Sequence, residues 1–232
     1  MDNTHMDNLD DILKRAAETP HPVDPAVLDR IAKSIEPGLR PVRPIAPPWL
    51  LTSGLALITV AIAMAGAAKL GLYGFQNLPV LHRAVIYPVL ALLIWMAAAS
   101  SVSEMIPGSR RLLSPGFLLG AGSLLLLAVF ALLFRDYQTI NFLPQGIACL
   151  TAGLLHAAPT AFAIWFVLRR GFAVNPVSAG TVAGTLAGLA GITMLELHCP
   201  NFEAFHVMLW HTAVVVISGG AGALLAALFN RR

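Results

Sequence analysis

The chain has 232 residues, 57% of them hydrophobic and only 12% charged, with a mean hydropathy of +0.74 and a formal net charge of +3. A soluble domain carries about a quarter charged residues, so this balance excludes a water-soluble globule, and disorder needs the opposite balance. Two cysteines, Cys149 and Cys199, are too few for a disulfide-dense secreted scaffold or a four-thiolate zinc site.

Residues 1–48 form a separate zone, read as a cytoplasmic arm. It holds eight of the twelve acidic residues and six basic ones. No apolar h-region is visible there, so the first membrane helix is expected to act as its own insertion signal. Leu9, Ile12, Leu13 and Ala16 follow helical spacing, with Asp7, Asp10 and Asp11 at the start of the run. Leu28, Ile31 and Ile35 form a second short stripe, with Asp24 as N-cap and Pro25 in the first turn. Five prolines between Pro37 and Pro48 make a semi-rigid spacer. Two helices of about ten residues cannot build a core alone. Their stripes therefore need a partner, either a protein groove that takes a helix or the lipid or bundle surface. An anionic surface suits the arm poorly, because its acids outnumber its bases.

Six apolar stretches follow, at approximately Trp49–Gly71, Ala84–Ile106, Leu113–Phe134, Ile147–Leu168, Pro176–Leu197 and His206–Phe229. Each matches the roughly 20 residues that span a bilayer core of about 30 Å. The fold class is thus all-α: a polytopic bundle of six transmembrane helices over residues 49–232, behind a short cytoplasmic arm. Lys69, Glu104 and Glu196 are the charged side chains within the stretches. All three lie near span ends and are expected to snorkel to the interface.

Charge asymmetry sets the expected orientation. Lys14, Arg15, Arg30, Lys33, Arg40, Arg43, Arg110, Arg111, Arg169, Arg170, Arg231 and Arg232 fall on one side, and Lys69, Arg83 and Arg135 on the other. Twelve against three puts both termini in the cytoplasm. The breaks near residues 72–83, 135–146 and 198–205 are then extracytoplasmic.

Gly180, Gly184 and Gly188 repeat at four-residue spacing in the fifth stretch, and Gly219, Gly220 and Gly222 answer in the sixth. Small residues at this spacing let helix backbones approach closely. These two helices are expected to pack together; a homodimer through the same face is the weaker alternative.

Deep ionisable groups are scarce, although enzymes and transporters place them there for function. His156 is the main exception, about 13 Å into the fourth stretch by helical rise. Without a carboxylate partner it reads as a neutral imidazole bonded to a neighbouring helix. His211 reads the same way. No HExxH, P-loop or Gly-x-Ser-x-Gly pattern is present, so no catalytic residue, cofactor or metal site is assigned. The outer rim is richer. Cys149 lies near the start of the fourth stretch, Glu196–Leu197–His198–Cys199–Pro200 closes the fifth, and His206 opens the sixth. The cysteines face an oxidising compartment at similar depth. A disulfide or redox pair, inert buried thiols, and two thiolates with imidazole on a soft metal all remain open.

The stretch His198–Cys199–Pro200 followed by Phe205 and Trp210, Cys149 with Pro159, and Leu168–Arg169–Arg170–Gly171 resemble the NrsF family. So does the approach Pro41–Val42–Arg43–Pro44. The family comprises six-pass anti-sigma factors of the bacterial inner membrane. The resemblance runs from about Trp49 to the end of the chain. It implies that the arm holds an extracytoplasmic-function sigma factor away from RNA polymerase, without touching nucleic acid. It implies that the membrane part senses an external redox or metal-stress signal. Two cysteines that matter for signalling in the family match Cys149 and Cys199, beside His198. The rival reading is a small transporter or channel, with His156 and Glu196 on a polar pathway.

Overall fold

The computed structural model describes residues 14, 24–35, 46–109, 113–169, 171 and 173–229. Its contacts divide the chain into two units, Met1–Ile45 and Ala46–Arg232.

The first unit contributes α1, Pro25–Ile35. Asp24 caps it: its Oδ1 accepts the Ala26 N–H at 2.9 Å, which satisfies one orphan donor of the first turn. Lys33 and Asp29 pair at 2.8 Å one turn apart, both well exposed, and contribute a few tenths of a kcal/mol at most. The expected stripe is real but uncovered: Leu28, Ile31 and Ile35 are 53%, 48% and 51% exposed. The other expected arm helix, with Leu9, Ile12 and Leu13, lies outside the described residues, as does the spacer over 36–45.

The second unit runs α2 (Pro48–Leu70), the short α3 (Tyr73–Asn77), α4 (Val80–Met105), α5 (Pro115–Leu133), α6 (Phe142–Leu168), α7 (Pro176–His198) and α8 (Ala204–Phe229). All but α3 are long and apolar enough to cross a membrane. Ser114 and Asn175 cap α5 and α7 by accepting the N–H groups of Phe117 and Ser178, with Pro115 and Pro176 in the first turns. Two helices start earlier than hydropathy implies. α4 takes His82 and Arg83 into its first turn, where His82 Nε2 meets the Leu133 carbonyl at 2.9 Å. α6 absorbs Pro144 and Gln145, because proline is tolerated where no helical donor is needed.

α7 is the central helix. In its most apolar window 78% is buried, against at most 50% in any other span. It touches every other span, α2, α4, α5, α6 and α8. Composition explains this: glycine, alanine and threonine leave a thin cylinder that neighbours can approach. Gly180, Gly184 and Gly188 lie against the backbone of α8 at Gly222, Ser218 and Val215. A Cβ at Gly184 would run into the Ser218 carbonyl, and one at Gly188 would come to 2.7 Å from Val215 Cα. Thr185 and Thr193 spend their hydroxyls on the carbonyls of Thr181 and Leu189, four residues back on α7.

Two of the three charged positions, Glu104 and Glu196, depart from the snorkelling expectation. Lys69 is exposed. Glu104 and Glu196 are 7% and 4% exposed and stay inside the unit. The physical reason at Glu196 is a partner in reach, His211. His156 also differs in detail. Its Nδ1 bonds the Ala152 carbonyl of its own helix at 2.8 Å, and its ring fills the space over Gly66 on α2.

Candidate sensor site

One end of the bundle gathers the start of α6, the end of α7 and the start of α8. Pro200 shapes it first. A residue before proline is driven out of the helical region, and Cys199 takes φ −66°, ψ 122° as α7 ends. Its N–H still closes the last turn on the Leu195 carbonyl at 2.7 Å. The thiol comes to lie 3.6 Å from Cys149 Sγ on α6. Both cysteines are free.

α8 supplies the rest. His206 and His211 are five residues apart, which on a regular α-helix puts them about 140° apart around the axis. Here Val207–His211 is a π-helical turn. Bonding between residues five apart carries the chain back over its own start. The two imidazoles therefore meet, with ring centroids 5.4 Å apart and nearly perpendicular planes. His206 Nε2 lies 3.6 Å from Cys199 Sγ. The ligand atoms of Cys149, Cys199, His206 and His211 all fall within 4.8 Å of one another.

Glu196 stands behind this group, one turn before Cys199. Its Oε1 is 2.6 Å from His211 Nδ1, and both residues are almost fully buried. A carboxylate oxygen accepts, so Nδ1 carries the donated hydrogen and Nε2 keeps a lone pair when the ring is neutral. That Nε2 is buried and has no hydrogen-bond partner among the described residues. The hydrogen bond with Cys149, and then burial, hold the Cys199 thiol above the ordinary thiol range.

Tight packing fixes the frame. The Trp210 indole sits directly on Gly146, one turn before Cys149, and pairs with Phe142 at 5.5 Å. Asn201 Nδ2 donates to Gln145 Oε1 at 2.7 Å, tying the α7–α8 loop to α6. Gly74 of α3 abuts the carbonyls of Glu196 and Cys199, where a Cβ would come to 2.6 and 2.8 Å. A cavity of about 500 Å³ opens over the cysteines, with Gln145, Asn201, Glu203 and His206 in its wall.

His198, expected beside the cysteines, turns elsewhere. Its Nδ1 meets the Gly71 carbonyl at 2.9 Å and its ring lies against Tyr73. It is not one of the four clustered residues. His211 is the residue that sequence reasoning did not join to the cysteines, and Glu196, placed on their rim, was not paired with it. The usable signal was Glu196 three residues before Cys199 on one helix, facing a histidine pair whose five-residue spacing fits no α-helical face.

The family model described as negative regulator of sigma F, NrsF, matches residues 37–231. No curated protein matches the chain, and no solved structure does.

Proposed function

The chain belongs to the NrsF family of negative regulators of sigma F, and from that premise we propose that it is a membrane anti-sigma factor of the inner membrane whose arm sequesters an extracytoplasmic-function sigma factor. Its partner class, a sigma factor, follows from the family. The observation that carries the role of the arm is α1. It is capped and amphipathic, yet Leu28, Ile31 and Ile35 are about half exposed. Burying each such side chain in a groove contributes roughly 1.5–3 kcal/mol. Leu9, Ile12 and Leu13, outside the described residues, are the second apolar stripe of the arm that we assign to the same partner.

Both termini face the cytoplasm in this reading, and the Cys149–Cys199 end of the bundle faces outward, with His198 at its rim. A redox or metal-stress signal at the cysteines reaches α6 and α7 together. Because α7 touches all five other spans, a change at its end is transmitted through packed helices rather than through a flexible tether. A useful switch needs a signal that favours one packing state by a few kcal/mol.

Among the described residues, the two side chains that the transporter reading needs are already engaged. His156 is bonded within its own helix, and Glu196 is committed to His211. The test is co-purification. Full-length protein in micelles should retain the sigma factor, and a form lacking residues 1–36 should lose it. Retention by the truncated form would overturn the arm as docking segment.

A further inference from the structure

We propose that Cys149, Cys199, His206 and His211 form a tetrahedral S2N2 site for a soft divalent d10 cation, with Glu196 as the residue that positions His211. The proposal rests on the reading of the cysteines as a sensor and narrows what they sense. Distances carry it. Bonds of about 2.3 Å to sulfur and about 2.05 Å to nitrogen at tetrahedral angles set two sulfurs about 3.8 Å apart, and sulfur about 3.6 Å from nitrogen. Here the sulfurs are 3.6 Å apart and Cys199 Sγ is 3.6 Å from His206 Nε2. Two edges of the tetrahedron therefore have their length already, and the remaining ligand atoms, all within 4.8 Å of one another, have to close by at most about 1.5 Å.

Three further observations agree. His211 Nε2 is buried, unpartnered, and belongs to a ring whose other nitrogen is held by a carboxylate. A carboxylate–histidine pair of this kind fixes the tautomer that a cation requires. The π turn departs from regular helix at the five residues that bring both imidazoles to the cysteines, and such turns recur at functional sites. Access exists through the cavity over the cysteines, where Glu203 Oε2 lies buried without a hydrogen-bond partner. That acid gives an arriving cation a first contact. Two thiolates neutralise one divalent ion, and the one further charge, the Glu196 carboxylate, stands behind the ligands with the His211 N–H donating to it.

The step is coordination alone. Two S–H bonds break, two metal–sulfur and two metal–nitrogen bonds form, and two protons leave to water through the cavity. No group is oxidised or reduced.

Reduced full-length protein in detergent micelles is titrated with Co2+ as optical probe, followed by Zn2+. One equivalent of cobalt per chain should give sulfur-to-cobalt charge transfer and the intense visible bands of a tetrahedral ion, and zinc should abolish both. Cys149→Ser should weaken the charge transfer. Glu196→Gln should keep the band shape and raise the dissociation constant by about 10–100-fold, which a merely structural role would not do selectively. A pale six-coordinate spectrum, or no absorbance, from the unaltered protein overturns the site regardless of how any variant folds. The same samples are assayed for retained sigma factor. Tetrahedral cobalt with no change in retention upholds the site and sinks the sensor reading. Release by oxidant without cobalt binding does the reverse.

Discussion

Pro200 and the five-residue spacing of His206 and His211 do more for the site than its acid–base chemistry. Pro200 ends α7 and sets Cys199 in extended backbone. The π turn swings His211 back over His206. Two predictions belong at this scale. The sulfurs are 3.6 Å apart and need to close by about 1.5 Å to bond. A mild oxidant should therefore remove both alkylatable thiols at once in intact protein, and reductant should restore them, as read by mass spectrometry. Persistence of both thiols under oxidant would contradict that proximity. Gly146→Ala places a methyl in the Trp210 indole. It should cost about 1–3 kcal/mol in unfolding and slow the oxidative crosslink, because Trp210 sits one residue before His211 and one turn of α6 from Cys149.

At the scale of elements, α7 and α8 make one tight pair, while α1 keeps its apolar stripe about half exposed. Gly184 and Gly220 separate close approach from mere small size. Gly184→Ala pushes on the Ser218 carbonyl, while a Cβ at Gly220 meets nothing within 4 Å. The first change should destabilise by about 1–3 kcal/mol. The second should be neutral or stabilise by up to about 1 kcal/mol through helix propensity. Unfolding in micelles reads both. For α1 the expectation is opposite in kind. Leu28→Asp with Ile31→Asp should leave that unfolding unchanged and weaken sigma-factor binding by tenfold or more, since each lost apolar contact is worth over 1.4 kcal/mol. Unchanged binding would remove α1 from the docking surface.

At the scale of the whole molecule, orientation decides what the site can sense. Twelve basic residues against three imply that a reporter fused at the C-terminus is active only in a cytoplasmic form, and one inserted near residue 140 only in an extracytoplasmic form. The reverse pattern would turn the cysteines toward the cytoplasm and end the account of external sensing.

Much of this was legible in the amino-acid sequence. Apolar runs of spanning length, the glycine repeat of α7 and the capped stripe of α1 are local patterns. A helix needs only its own residues to declare its length, its thin face and its first turn. The likeness of the His198–Cys199–Pro200 stretch to the NrsF family was legible in the same way, because it is carried by contiguous residues. Tertiary structure alone decided which side chains share a centre. It took His198 out of the cysteine cluster, set His206 against Cys199 and brought in His211. It also turned Glu196 from a snorkelling acid into the buried partner of His211. These outcomes depend on a π turn and on how closely three helices approach at one end. Such relations hold between residues far apart in the chain, and periodicity along one helix carries no term for them.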